Sequence, residues 1–96
     1  MKAGYVYILA SKKQGVLYTG VTSDLVKRIW QHKEGVVEGF SEKYHVKSLV
    51  HYECFDDIHD AIQREKQLKN WKRDWKINLI ERDNPNWADL YSGLLT

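Results

Sequence analysis

Apolar positions recur along the chain with two different periods, and the changes of period mark the predicted elements. Residues 5–10 and 16–21 are rich in β-branched and aromatic side chains, which predicts two strands. The segment between them, Lys12–Gly15, predicts a turn, so the two strands should form a hairpin. A third strand is predicted over residues 46–55, which have the same character.

The first helix is predicted directly after the hairpin, from Asp24 to Glu34. Thr22 or Ser23 is the expected N-cap, because a side-chain hydroxyl can accept a hydrogen bond from a free amide at the helix start. Gly35 is expected to end this helix, since glycine adopts the left-handed conformation common just beyond a C-terminus. Residues 35–45, which contain two glycines, are predicted to form a loop.

Three further helices are expected in the second half of the chain. The first of them runs from a cap at Asp56 or Asp57 to about Asn70, and the next covers about 72–83. A short last helix is expected from Asn86 to Leu94, with Pro85 before it. Since one helix separates the second and third strands, the order ββαβααα favours an α+β fold, a small three-stranded antiparallel or mixed sheet flanked by helices.

The composition is that of one globular domain spanning residues 1–96, with 43% hydrophobic and 29% charged residues. No apolar stretch approaches the ~18 residues that a membrane span needs, and the N-terminus lacks the apolar core of a signal peptide. Cys54, the single cysteine, cannot form an internal disulfide. Together these features favour a cytoplasmic protein without a membrane association.

Charge is unevenly distributed although the formal net charge is only +2. Residues 1–33 hold six basic residues and one acidic residue, and residues 64–76 hold six basic residues and two acidic residues. Such segregation can make one face attractive to phosphate groups. Solvated helix faces produce the same pattern, so charge alone leaves both interpretations open.

Three polar residues interrupt helix faces that should be apolar. Arg28 and His32 are four residues apart, so they should lie together at the edge of the buried stripe of the first helix. Glu65 falls in the middle of the apolar stripe of the second predicted helix. A carboxylate there is costly unless it is paired, hydrogen-bonded or bound to a metal. A buried Glu65–Arg28 salt bridge without any chemistry is the alternative interpretation.

The predicted hairpin carries Tyr7 on its first strand and Tyr18 on its second. If the numbers of paired residues sum to an odd value, both rings point to the same face of the sheet. Gly20 follows on the same face as Tyr18 and should leave a gap that admits a ligand or another backbone. Tyrosine is also a good strand former, so these positions alone do not establish a site.

These residues, taken in order, resemble the GIY-YIG nuclease superfamily. The first motif reads Tyr5-Val6-Tyr7 and the second reads Tyr18-Thr19-Gly20, so the family's first Gly and both Ile positions differ. Arg28 and His32 follow at family-like spacings, and Glu65 matches the metal-binding glutamate. The stretch from Arg64 through Trp87 resembles the small, single-domain bacterial branch. For the family's late asparagine, Asn78 and Asn84 both remain open.

The resemblance implies a three-stranded antiparallel sheet with flanking helices and a metal-dependent endonuclease that hydrolyses phosphodiester bonds in DNA. Glu65 would bind one Mg²⁺ or Mn²⁺, and no small-molecule cofactor is implied. Arg28 would neutralise the phosphate, and Tyr18 would be the general base if nearby cations such as Arg28, His32 or a lysine lower its pKa. Tyr7 would orient the water or share a proton relay, and His32 would position phosphate or help Tyr18. Contacts to backbone phosphates are expected from Lys66, Lys69, Lys72, Arg73 and Lys76.

Two other interpretations depend on single groups of residues. A zinc site is not favoured, because His51 and Cys54 should face opposite sides of a strand. Trp71 and Trp75 have helical spacing and are expected to be core residues rather than platforms for stacked bases. The remaining alternative to an endonuclease is a non-catalytic nucleic-acid-binding or adaptor domain that keeps the same fold.

Overall fold

The computed structural model describes residues 2–36, 39 and 43–96, and the predicted loop residues 37, 38 and 40–42 lie outside this part. One antiparallel sheet contains three strands in the order β2-β1-β3. The strands are β1 (Gly4–Ala10), β2 (Leu17–Thr22) and β3 (Ser48–Phe55). The helices named here are α1 (Leu25–Lys33), α2 (Ile58–Asn70), α3 (Arg73–Asp83) and α4 (Tyr91–Leu94). The predicted α+β class and the three-stranded antiparallel sheet are confirmed.

The central strand β1 is buried on both faces because helices cover the sheet on either side. Val6, Ile8 and Ala10 belong to a cluster with apolar residues of α2 and α3. Tyr7 and Leu9 point the other way and pack with apolar residues of α1. All five side chains are at most 2% exposed. The alternation of a strand therefore distributes successive residues of β1 between two cores.

The register of the hairpin places both tyrosines on the face that α1 covers. Tyr7 is paired with Gly20, and Leu9 is paired with Tyr18, so the numbers of paired residues have an odd sum. With an odd sum, Tyr7 and Tyr18 lie on the same face of the sheet, which is the condition stated in the sequence analysis. On its other edge β1 pairs with β3, and the register shifts between Ile8 and Leu9.

The N-cap of α1 lies one residue beyond the two residues that were predicted. Asp24 is the N-cap, and its side chain accepts a hydrogen bond of 3.2 Å from the amide of Lys27. Thr22 instead accepts a 3.1 Å hydrogen bond from the amide of Asp24 and so fixes the cap residue itself. Gly35 ends the helix with a φ of +71°, as predicted. The second predicted cap is also confirmed, since Asp57 caps α2.

The last predicted helix is wrong over most of its length, because only Tyr91–Leu94 is helical. Trp87 has a φ of +57°, and a residue in this left-handed region cannot continue a right-handed helix. Its indole is buried and donates a 2.7 Å hydrogen bond to Glu81, which holds the turn against α3. Within the described ranges, no helix has the length and apolar character needed to cross a membrane.

Candidate active site

Three aromatic side chains from three different elements meet on the α1 face of the sheet. The ring centroids of Tyr7 on β1 and Tyr18 on β2 are 6.3 Å apart. The ring of His32 on α1 lies 5.7 Å from that of Tyr7 and 5.4 Å from that of Tyr18. The Tyr7 hydroxyl and Nε2 of His32 are 3.0 Å apart and form a buried hydrogen bond. The hairpin register and the placement of His32 on the inner side of α1 thus assemble the cluster.

Gly20 makes room for this cluster rather than for a ligand. A Cβ built at position 20 would lie 2.5 Å from Cζ of Tyr7 and even closer to the Tyr7 hydroxyl. The gap expected from the sequence is therefore filled by the phenol of Tyr7, its partner on the neighbouring strand. The expectation of a ligand or backbone at this place is wrong, because the missing side chain is compensated within the sheet.

The phenol of Tyr7 is held in its protonated form. Burial raises the pKa of Tyr7 well above its ordinary value, and the negative charge of an ionised Tyr18 adds to the effect. The charge of Arg28 acts in the opposite direction, whereas the charge of Glu65 raises the pKa further.

His32 is a buried, neutral side chain. It is 2% exposed, so it does not lie at the edge of the stripe where the sequence analysis expected it. Burial lowers the pKa of His32 to about 4, and the neighbouring charge of Arg28 lowers it further in the same direction. At neutral pH this imidazole therefore carries no charge. The structure places the imidazole in a hydrogen bond with Tyr7, and the expected role of His32 toward phosphate stays a prediction.

Glu65 lies in the apolar stripe of α2, between the buried residues Ala61 and Leu68. Its side chain is 13% exposed and forms an ion pair of 2.9 Å with Nζ of Lys69, one turn further along the helix. The considered Glu65–Arg28 salt bridge is thus replaced by an i,i+4 pair. The carboxylate remains close enough to the ring cluster to influence the pKa of Tyr7.

A groove beside Tyr18 is lined by this tyrosine and by two lysines. Its volume is about 280 Å³, and it lies between strand β2 and the helices α2 and α3. The lining residues are Leu17, Tyr18, Thr19, Lys69 and Lys76. Burial lowers the pKa of Lys76, and the positive charges of Arg73 and Lys69 lower it further. Positive charge is therefore crowded along the wall that faces Tyr18.

Arg28 lines a second, polar cavity of about 300 Å³ at the start of α1. The other lining residues are Thr22, Ser23, Asp24, Lys27 and Gln31. Hydroxyl, amide and cationic groups predominate there, which suits an oxygen-rich ligand such as a phosphodiester. The sequence analysis did not identify this cavity, although the polar residues that follow β2 are its visible signal.

The basic residues expected to contact phosphates fall into two groups. Lys66, Lys69 and Lys72 are exposed, and Lys76 is half-buried. Arg73 has a structural contact instead, since its Nη2 donates to the carbonyls of Gln14 and Gly15 at 2.6 Å each. It secures the turn of the hairpin against the start of α3.

Only one of the two tryptophans expected in the core packs there. Trp71 is partly buried and packs against the core cluster formed by β1, α2 and α3. It is the C-cap of α2, and α3 begins at Arg73, so the helical spacing of Trp71 and Trp75 is interrupted between the two helices. Trp75 is 52% exposed, and its ring meets that of Trp71 edge-on at 6.0 Å. The ammonium of Lys72 lies 5.9 Å from the centre of the Trp75 ring.

An ion network on the opposite face of the sheet was missed by the sequence analysis. Arg64 donates to both carboxylate oxygens of Glu53, at 2.8 and 3.2 Å, and Nε2 of His51 lies 2.8 Å from the same carboxylate. The hydrogen bond with His51 and those with Arg64 lower the pKa of Glu53 to about 2, against the effect of burial. The spacing of His51 and Glu53 on one strand face is the signal that could have indicated it.

Asn84 and Asn78, the two asparagines left open above, have different surroundings. Asn84 is 7% exposed, and its amide nitrogen donates to the carbonyls of Val50 at 3.1 Å and Ala88 at 2.9 Å. Its side chain thus ties the end of α3 to β3. Asn78 lies in an open groove that also contains both tryptophans.

The donor set fits a hard divalent cation held by one carboxylate. Glu65 offers oxygen, which Mg²⁺ and Mn²⁺ prefer, and Mg²⁺ commonly keeps several waters and binds substrate phosphate. In the described part of the chain, no three His, Cys, Asp or Glu side chains converge to form a fuller cage. Lys69 must share or leave the carboxylate when a cation binds, since it now forms an ion pair with it.

Comparisons with known proteins agree with the fold and identify the family. The model of the GIY-YIG catalytic domain matches residues 3–78. A UPF0213 protein of Haloquadratum walsbyi is 36% identical over 77 residues, which are 80% of this chain and 85% of that protein. A UPF0213 protein of Staphylococcus saprophyticus is 36% identical over 80 residues, which are 83% of this chain and 96% of that protein.

A solved structure has the same architecture. The solution NMR structure of a UPF0213 protein from Bacillus halodurans superimposes with a TM-score of 0.56 and 29% sequence identity. The superposition covers 91% of this chain and 92% of the other. The family match includes β1, β2, α1 and α2, which carry the two tyrosines, the histidine and the glutamate of the cluster. On these grounds the chain belongs to the GIY-YIG catalytic domain family.

Proposed function

We propose that this protein is a divalent-metal-dependent endonuclease that hydrolyses phosphodiester bonds in DNA. The observation that carries the proposal is the cluster of Tyr7, Tyr18 and His32, in which the charges of Arg28 and Glu65 both act on Tyr7. A purely structural core has no need for two phenols, an imidazole, a guanidinium and a carboxylate at one point. Membership of the GIY-YIG family supports phosphodiester chemistry at this cluster.

Tyr18 is assigned the role of general base toward an attacking water. It is half-buried and lines the groove, so a water in the groove can reach its hydroxyl. Lys69 and Lys76 line the same groove, so two cationic side chains lie beside the assigned base. His32 is neutral and adds no charge there.

Tyr7 and His32 are assigned a supporting role behind the base. Burial keeps the hydroxyl proton on Tyr7, and the low pKa of His32 keeps its imidazole neutral. A neutral imidazole with its proton on Nδ1 accepts a hydrogen bond at Nε2 from the Tyr7 hydroxyl, and this bond fixes the direction of the phenol O–H. The pair orients the ring cluster without adding charge to it.

Arg28 and Glu65 are assigned the role of neutralising the negative charge of the phosphate, Arg28 directly and Glu65 through the cation that it would bind. The planar guanidinium of Arg28 lines the polar cavity beside the cluster and can donate two parallel hydrogen bonds to phosphate oxygens. Glu65 would hold the divalent cation, which supplies a positive charge that stabilises the leaving oxygen. Lys66, Lys69, Lys72 and Lys76 would contact flanking phosphates, and Arg73 would add charge while it holds the turn.

The proposal is tested with purified protein and labelled DNA substrates. Flapped, branched, duplex and single-stranded DNA are incubated with and without Mg²⁺, and products are resolved on denaturing gels. We expect cleavage of at least one substrate only with Mg²⁺. Glu65→Gln should abolish that cleavage because the amide lacks the charge that a cation needs, while the melting temperature shows that the fold is kept.

Glu34→Gln is the matched control, since it makes the same change at an exposed carboxylate at the end of α1. Its cleavage should equal that of the wild type. Binding of DNA without any Mg²⁺-dependent product would favour the alternative, a non-catalytic nucleic-acid-binding domain. Wild-type cleavage by Glu65→Gln would disprove the assigned role of this carboxylate.

A further inference from the structure

The carboxylate of Glu65 already forms an ion pair with a cationic side chain of the protein, Lys69. Nζ of Lys69 lies 2.9 Å from Oε2 of Glu65. The two side chains differ in burial, because that of Glu65 is 13% exposed and that of Lys69 is 52% exposed. The carboxylate is therefore fixed in the apolar stripe, whereas the hydrated ammonium can turn about a flexible four-carbon chain.

Lys69 also borders the groove in which Tyr18 lies. There it shares the wall with Lys76, whose pKa is lowered by burial and by the charges of Arg73 and Lys69. Two ammonium groups along one groove repel each other, so an anion that enters the groove relieves this repulsion. The same side chain of Lys69 thus has two possible anionic partners, Glu65 on its own helix and a phosphate in the groove.

A divalent cation and the ammonium of Lys69 cannot both bind Glu65 strongly. Both are positive, and an ammonium 2.9 Å from the carboxylate oxygen repels a cation that approaches the same group. While Lys69 holds Glu65, the affinity for a divalent cation is reduced. The affinity rises when Lys69 finds another partner.

We propose that Lys69 is a positioning residue that changes partners when DNA binds: it pairs with Glu65 in the free protein, turns to a DNA phosphate in the groove beside Tyr18, and so releases the carboxylate for the divalent cation. This inference rests on the proposed function, because it assumes that Glu65 binds the cation. By linkage, DNA raises the affinity for the cation by the same factor by which the cation raises the affinity for DNA. The protein would then acquire its cation mainly when substrate is present.

The test measures binding of Mn²⁺ by the loss of its free electron paramagnetic resonance signal. Each protein is titrated alone and with a 20-base-pair phosphorothioate DNA duplex, which resists hydrolysis, and ions bound by the duplex alone are subtracted. For the wild type we expect the duplex to tighten Mn²⁺ binding by roughly five- to tenfold, the range of an ordinary coupling between two sites. Lys69→Met should bind Mn²⁺ tighter by a similar factor without DNA and should gain little when the duplex is added.

Lys76→Met is the matched control, because it removes the same charge from the same groove but not from the ion pair with Glu65. Without DNA its affinity for Mn²⁺ should change much less than that of Lys69→Met. Equal shifts in the two variants would overturn the proposal, since they would reflect only the general positive field. Wild-type affinity and wild-type coupling in Lys69→Met would overturn it as well.

Glu65→Gln separates failure of this inference from failure of the proposed function. If it abolishes Mn²⁺ binding while Lys69→Met behaves like the wild type, the metal site stands and the exchange of partners is disproved. If Glu65→Gln binds Mn²⁺ as the wild type does, or if no protein binds Mn²⁺ even with the duplex, the metal-binding role of Glu65 fails and the inference fails with it.

Discussion

The hydroxyl of Tyr7 and Nε2 of His32 lie 3.0 Å apart at a point where neither side chain is more than 2% exposed. Burial raises the pKa of the phenol and lowers that of the imidazole, so both partners are uncharged at neutral pH. An uncharged pair of this kind can stay buried without a counterion. Protonation of this pair costs free energy, so the stability of the protein should depend on pH.

The first prediction concerns that dependence. The pKa of His32 is lowered from 6.5 to about 4, so between these values the unfolded chain binds a proton that the native protein does not. The contribution of neutral His32 to the free energy of unfolding should therefore be fully present above pH 6.5, and it should be lost as the pH falls toward 4. The His32 contribution to this fall should be about 3 kcal/mol at 1.36 kcal/mol per pKa unit, measured by urea unfolding at each pH.

His32→Gln should lose this part of the pH dependence, although it should also be less stable at pH 7. A second region of pH dependence should remain in the variant, because the pKa of Glu53 is lowered to about 2 and its stabilisation is lost as the pH falls from 4.5 toward 2. If the slope between pH 4 and 6.5 is the same in both proteins, the pKa of His32 is not lowered in the native state.

The second prediction concerns Gly20. In Gly20→Ala the added Cβ would meet the ring of Tyr7 at 2.5 Å, so the ring or the strand has to shift. We expect a loss of about 1–3 kcal/mol in the free energy of unfolding, the usual range for overpacking. Gly93→Ala is the control, because a Cβ there meets no atom within 4 Å. Combining Gly20→Ala with Tyr7→Ala should cost less than the sum of the two single changes.

The third prediction concerns Tyr18→Phe. Phenylalanine keeps the ring and the strand preference of tyrosine, so the hairpin should form as before. Only the hydroxyl is lost, and with it the proposed general base. The turnover number should fall by ~10²–10⁴-fold while the affinity for DNA changes little, which single-turnover kinetics and equilibrium binding can separate.

The pH profile of cleavage provides the control for this third prediction. Wild-type rates should rise with pH as the phenol of the base loses its proton, and the variant should lack that rise. Tyr7→Phe should be milder, since Tyr7 is assigned to orientation rather than to proton transfer. A variant at Tyr18 that keeps both the rate and the rise would show that another group activates the water.

The fourth prediction concerns salt. Lys69, Lys72 and Lys76 follow one another along α2 and α3, and replacing all three by alanine should remove about two to three phosphate contacts. The slope of the logarithm of the binding constant against the logarithm of salt concentration should then decrease by roughly two to three, at ~0.9 per contact. Replacing Lys2, Lys43 and Lys47 removes the same charge elsewhere and should change the slope less. Equal slopes in both triple variants would argue against a directed basic face.

The sequence predicted the parts of the site that follow from local periodicity. The two-residue repeat of a strand left two pairings of the hairpin open, and the register shows the one in which Tyr7 and Tyr18 share a face. The helical repeat placed Glu65 inside an apolar stripe, and the structure finds it between two buried residues. Both inferences use spacing within one element or one hairpin, where geometry leaves few alternatives.

Contacts between distant elements were not predictable in the same way. The partner of Glu65 could be Arg28 or a lysine, since sequence spacing alone does not show which cation lies nearest. The helix break at Trp71 and the left-handed conformation of Trp87 contradicted helical spacing that looked regular in sequence. A bulky residue such as Trp87 rarely has a positive φ, so tertiary packing, and not local preference, decides its conformation.

The contact of Arg73 with the hairpin turn has a consequence for how the protein is made. Arg73 donates hydrogen bonds to the carbonyls of Gln14 and Gly15, although almost 60 residues separate it from them. The groove beside Tyr18 is lined on its helical side by Lys76, which also lies late in the sequence. A growing chain emerges from the ribosome with its N-terminus first, so the hairpin is available long before these partners. The aromatic cluster can therefore gather early, whereas the groove is completed only after α3 has been synthesised and has docked, so a shorter nascent chain has the ring cluster without the groove.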